Sequence, residues 1–170
     1  MGLLESHKGY IMKANMRDFL FLKGKVRCIL EDVNTGEKIV KEYNNLVTNA
    51  GKVAIARRLA NIGLYANESA ITYGATGTDT TAPLVTDTVL GTELARKAVA
   101  SSSYNAGTRE GTIRTFFTTA ESNGALKEFG MFGEEATGAA DSGTLINHAA
   151  IDITKDVTKT LTIEVIITIS

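Results

Sequence analysis

Along residues 19–31 the chain reads FLFLKGKVRCILE, and its side chains sort by parity. Leu20, Leu22, Val26, Cys28 and Leu30 fall on one side, interrupted only by Gly24; Phe19, Phe21, Lys23, Lys25, Arg27 and Ile29 fall on the other. Successive strand residues point to opposite faces, so the first set predicts a buried face. DVNTGEKIVKEY follows, where Asn34 and Thr35 suit a type I turn and Gly36 supplies the left-handed residue that returns the chain as a hairpin. In NNLVTNAGKVAIARRLANIG the period changes. Thr48 or Asn49 can cap a helix, Val53, Ala56, Leu59 and Ala60 recur on one face, and Lys52, Arg57 and Arg58 lie mostly elsewhere. This predicts one short amphipathic helix laid over an open end or edge of a sheet, with Gly63 suited to end it.

Beyond residue 70 strand patterns return in short pieces: AITYG, LARKAVASSSY, GTIRTFFTTA, LKEFGMFG and TLINHAAIDI, separated by Gly, Asn and Ser clusters. The adjacent Phe116 and Phe117 must face opposite ways, so one of them needs a cover from the helix, a loop or another subunit. In TLTIEVIITIS, Leu161, Ile163, Val165, Ile167 and Ile169 form an apolar face, while Thr160, Thr162, Glu164, Ile166 and Thr168 form a largely hydroxylated one. About eight strands, Gly-rich turns and one helix, without strand–helix alternation, predict a mainly β fold: an antiparallel β-sandwich, jelly-roll-like. Residues 19–170 read as one such domain. Residues 1–18 do not fit the sheet pattern and read as an N-terminal arm.

Composition narrows the function classes. With 170 residues, 44% hydrophobic and 22% charged, the chain is of ordinary size for a soluble domain. A formal charge of −1 gives no electrostatic reason to seek nucleic acid. The single cysteine, Cys28, rules out an intramolecular disulfide framework and reads as a buried strand thiol. No uncharged apolar run approaches the ~20 residues of a spanning helix, so no membrane partner is expected.

The candidate chemistry is sparse. GATGTDTT, residues 74–81, resembles a phosphate-cradling loop, yet it lacks the lysine of G-x-x-x-x-G-K-[ST], carries Asp79 instead, and meets Pro83 where a helix should follow. It reads as a structural loop. His7 and His148 lie far apart with no ligand spacing, so a satisfied or surface histidine is expected and no metal. Glu134, Glu135 and Asp141, and likewise Asp79 and Asp87, lack calcium-loop spacing and read as solvated turns. No nucleophile elbow or paired-carboxylate motif is present, so no catalytic residue and no cofactor is expected. A sugar platform would have to use the five tyrosines and six phenylalanines, because tryptophan is absent.

Four segments carry a resemblance: KGKVRCILEDVNTGEKIVKEYNNLVTNAGKVAIARRLA, ITYGATGTDTTAPLVTDTVLGTELARKAV, FTTAESNGALKEFGMFG and GTLINHAAIDITKDVTKTLTIEVIITIS. Together they resemble small structural proteins of tailed bacteriophages, of tail-fibre-like, baseplate or virion-decoration type. Gly77, Thr78, Thr81, Pro83, Thr86, Asp87, Thr88, Leu90, Glu93 and Arg96 follow that family's central signature, and LKEFGMFG is similar to one of its strands. Glu164 and Val165 stand where an aromatic is common. The resemblance implies a non-enzymatic virion protein, assembled in the bacterial host cytoplasm as a homo-oligomer with a trimer expected. Its partners would be other tail or capsid proteins. The alternative is a glycan-binding receptor module at the tail tip. Tyr10, Met12, Arg17 and Phe19, in and beside the arm, are the expected assembly contacts.

Overall fold

A computed structural model of the chain describes residues 22–60 and 71–169. The expected arm, with Tyr10, Met12, Arg17 and Phe19, and the expected helix stop at Gly63 lie outside the described residues. β1 (Leu22–Asp32) turns into β2 (Lys38–Asn44) as expected. The Asp32 carboxylate accepts from the Asn34 and Thr35 N–H groups at 2.9 and 3.2 Å, and Gly36 takes φ 72°. β3 (Leu46–Val47) leads into α1 (Asn49–Ala60). Then follow β4 (Tyr73–Gly77), β5 (Glu93–Asn105), β6 (Glu110–Phe117), β7 (Gly124–Gly133), β8 (Thr144–Lys155) and β9 (Lys159–Ile169).

These strands form one antiparallel sheet in the order β2-β1-β9-β6-β5-β4-β7-β8-β3, nearly closed into a barrel. The mainly β, antiparallel class is the one expected. β5 belongs to both halves, pairing with β4 up to Ala98 and with β6 from Val99, and a bulge between Val99 and Ser101 turns the sheet from one layer into the other. At the seam, the Lys41 ammonium and the Tyr43 hydroxyl of β2 donate to the Asp152 carbonyl of β8 at 2.9 and 2.8 Å. Side chains do there what a backbone ladder does elsewhere.

The enclosed core collects Val26, Cys28 and Leu30 from β1, Phe117 from β6, Phe129 and Met131 from β7, Ile151 and Ile153 from β8, and Leu161, Ile163 and Val165 from β9. The buried parities read in β1 and β9 are therefore the observed ones. Burial pushes the Cys28 thiol up to about 12, so the nucleophilic thiolate is scarce at neutral pH. Phe117 is fully buried, and its neighbour Phe116 faces out, 40% exposed. A second cluster of Ala75, Leu90, Phe132 and Leu145 forms on the other face of β7, since Phe132 follows Met131 and points the opposite way.

Two expectations are overturned. The largely hydroxylated face of β9, opposite its apolar one, is not left to solvent: Glu164 on it is buried between Arg27 of β1 and Arg114 of β6, whose guanidinium nitrogens lie 3.3 and 3.0 Å from its oxygens. Strand register places all three side by side, and Arg27 also meets Glu42 of β2 at 3.0 Å, giving a row of alternating charge across four strands. The helix is also turned the other way. Its buried residues are Gly51 and Ala54, while Val53 is 49% and Leu59 76% exposed. The reason lies in contacts with β8: Thr48 accepts from the Gly51 N–H at 2.9 Å and donates to the Leu145 carbonyl at 2.6 Å. A side chain at Gly51 would stand 2.1 Å from the Ile146 carbonyl oxygen, so this glycine face alone can approach β8.

The β6–β7 turn is held by charge. Glu121 accepts from the Lys97 ammonium at 2.6 Å and from the Thr118 N–H and hydroxyl at 2.9 Å each, which pulls its carboxyl from 4.5 to about 2. A carboxyl depressed in the folded state adds stability above its unfolded pKa and loses it as pH falls to the folded value. The denaturant midpoint is therefore expected to fall between pH 4.5 and about 2, and less steeply in Glu121→Gln. Equal slopes for the two proteins would remove Glu121 from the account.

Candidate functional site

The crossover of residues 78–92 lies over the outer face of β7 and β8, and three polar side chains meet beneath it. Glu128 alternates with the core residue Phe129 and so points outward from β7; His148 stands on β8 opposite Gly130; Asp87 comes from the crossover. The imidazole Nε2 lies 3.0 Å from a Glu128 oxygen and Nδ1 lies 2.8 Å from an Asp87 oxygen. Glu128 is only 2% exposed, and its carboxylate is filled by backbone donors as well: the N–H groups of Thr92 at 2.8 Å, Gly91 at 2.9 Å and Asp79 at 3.3 Å. Asp87 accepts from the Leu84 N–H at 2.7 Å. Asp79 accepts from the N–H and hydroxyl of Thr81, bonds that hold its carboxyl below the usual range.

Glycines make this packing possible. A side chain at Gly77 would stand 2.2 Å from a Glu128 oxygen, and one at Gly91 would stand 2.0 Å from an Asp79 oxygen. Gly77 and Gly91 thus serve close approach to this protein's own carboxylates.

A second fastener adjoins the first. Arg96 donates to both oxygens of Glu93 at 2.8 and 2.7 Å, to the Ser142 carbonyl at 2.8 Å, and lies 3.9 Å above the Phe132 ring. Glu93 also accepts from the Asp141 N–H at 3.3 Å. The pair thus grips the loop of residues 134–143, where Glu134, Glu135 and Asp141 adopt positive φ. Two acidic turns expected to be solvated are therefore structural: Asp87 faces His148, and Glu134 pairs with Arg57 at 3.0 Å.

Chemically, both His148 nitrogens already face carboxylates, so neither is available to take a proton from a nucleophile. The arrangement fastens the crossover to the sheet. His148 also lines two cavities, one of 640 Å³ at the β2–β8 seam with Lys25, Glu42, Tyr43, Asn44 and Pro83, and one of 320 Å³ under the crossover with Asp79, Thr86 and Thr88. Among the described residues no group of three His, Cys, Asp or Glu side chains is arranged to hold a metal ion. Nor is any described helix long and apolar enough to cross a membrane.

The satisfied His148 was expected, whereas its partners were not. Glu128 gave one readable signal, a carboxylate that with its neighbour Lys127 interrupts the apolar run LKEFGMFG. The chain matches no family model, no curated protein and no solved structure.

Proposed function

We propose that the chain is a non-enzymatic structural protein of a tailed-phage particle, a tail-fibre or baseplate component or a capsid decoration, working as a homo-oligomer. The observation that supports this reading is what the signature residues do. Asp87, Leu90, Glu93 and Arg96 are spent on holding two loops against the nearly closed sheet, by ion pairs and core burial. A module with its distinctive residues committed to wall-building suits a repeated, load-bearing part. Quantitative mass spectrometry of purified particles tests it. A copy number on the order of hundreds places the chain on the shell, and a small multiple of three places it in the tail apparatus. Removing residues 1–18 is expected to leave the domain folded and abolish incorporation. Absence from purified particles overturns the proposal.

The seam cavity favours a second reading, a glycan-binding module. Its 640 Å³ and its lining of Glu42, Asn44, Lys25 and the Tyr43 ring suit a hydroxyl-rich ligand. Saturable binding of host surface polysaccharide, lost in Asn44→Ala, would support it; no binding by the isolated protein rejects it.

A further inference from the structure

We propose that the outward side of α1 and the crossover of residues 78–92 form one face, and that a second copy of this chain covers it. The inference rests on the homo-oligomer of the proposed function and names its contact surface. Four observations carry it.

The first is the inverted helix. Val53, Ala56, Leu59 and Ala60, the aliphatic stripe that should have been buried, all lie on the exposed side, while Arg57 and Arg58 are half-buried. The second is continuity. Leu84, Val85 and Val89 of the crossover are exposed as well, Leu84 by 57%, and the Val85 carbonyl accepts from the Asn49 N–H at 2.7 Å. Asn49 and Val53 lie one turn apart on the same side of α1, so the aliphatic residues of helix and crossover adjoin. An adjoining exposed set of this kind on a folded chain marks an interaction surface.

The third is charge. Within the crossover the ionisable side chains are Asp79, which accepts from Thr81, and Asp87, which is turned inward onto His148. On the outward side of α1 only Lys52 is charged. Over the whole chain 22% of residues are charged. Depletion of charge is the mark of an interface core. It also suits the occupant: a face brought against its own copy meets whatever charge it carries, and a face with so few outward charges meets little repulsion. The fourth is rigidity. The bonds from Glu128 and Asp87 fix the crossover backbone in the single chain, so association there orders no loop.

Sedimentation equilibrium of the full chain tests the proposal. The native protein is expected to sediment at a multiple of 18.1 kDa, and the Val53→Asp/Leu84→Asp variant at the mass of one chain with an unchanged circular dichroism spectrum, since both sites are exposed. Tyr104→Asp, on the exposed end of β5, is expected to keep the native mass. A variant that keeps the native mass, or a native protein that is a single chain, overturns the inference. If Tyr10→Asp/Met12→Asp breaks the oligomer and the face variant does not, the copies meet through residues 1–18; this inference then falls while the particle proposal stands. If the face variant breaks the oligomer but the chain is missing from purified particles, the face stands and the proposed function falls. A single-chain native protein whose incorporation into particles is lost in the face variant assigns the surface to a different virion protein and overturns the second copy.

Discussion

Glu128→Ala is expected to destabilise the fold by roughly 3–5 kcal/mol, the cost of leaving several backbone donors without their buried acceptor at about 1–3 kcal/mol each. Its carboxylate accepts from the N–H groups of Gly91, Thr92 and Asp79 and faces the His148 ring, so one truncation orphans three backbone donors under the crossover and removes the His148 contact. For a chain of this size the melting temperature should fall by on the order of 10 °C. Glu128→Gln should lie between the two, because its amide oxygen still accepts while its NH₂ turns a donor toward donors. Chemical denaturation measures the loss, and limited proteolysis locates it: cleavage should appear first within residues 78–92. A fall below about 1 kcal/mol, with the crossover still protected, would mean that Leu90 burial alone holds this loop.

What was legible in the chain depended on how local the determinant is. β1 and β9 each turn one parity toward the enclosed core, so parity alone identified Val26, Cys28 and Leu30 and, across the pair, Leu161, Ile163 and Val165. The β1–β2 turn was legible because Asp32, Asn34, Thr35 and Gly36 settle it among themselves. The helix was legible as a helix but not in its orientation. A 3.6-residue period says which residues share a side, and the direction in which that side turns is set by Thr48 and by the approach of Gly51 to Ile146 on a distant strand. Glu164 was misread for the same reason, since its partners Arg27 and Arg114 become neighbours only through strand order. The Asp87–His148–Glu128 cluster joins three stretches whose proximity depends on the sheet order β4-β7-β8 and on the path of the crossover. No residue spacing encodes that.

Arg96→Ala is expected to cost a similar roughly 3–5 kcal/mol, for a reason that a companion variant can isolate. The side chains of Arg96 and Glu93 are 2% and 5% exposed, so truncating the arginine leaves a carboxylate out of water with the Asp141 N–H as its remaining partner. Taking both charges away removes that penalty, and Glu93→Leu with Arg96→Met is therefore expected to be less destabilising than Arg96→Ala alone. Arg96→Lys should fall between, because one ammonium cannot serve both Glu93 oxygens and the Ser142 carbonyl while lying flat on Phe132. The loop of residues 134–143 separates stability from order. It loses the Ser142 bond in both Arg96→Ala and the double variant, so amide exchange there should rise in both even though their unfolding free energies differ. If the two variants prove equally unstable, charge compensation is not what the pair supplies, and packing of the guanidinium on Phe132 takes its place as the stabilising contact.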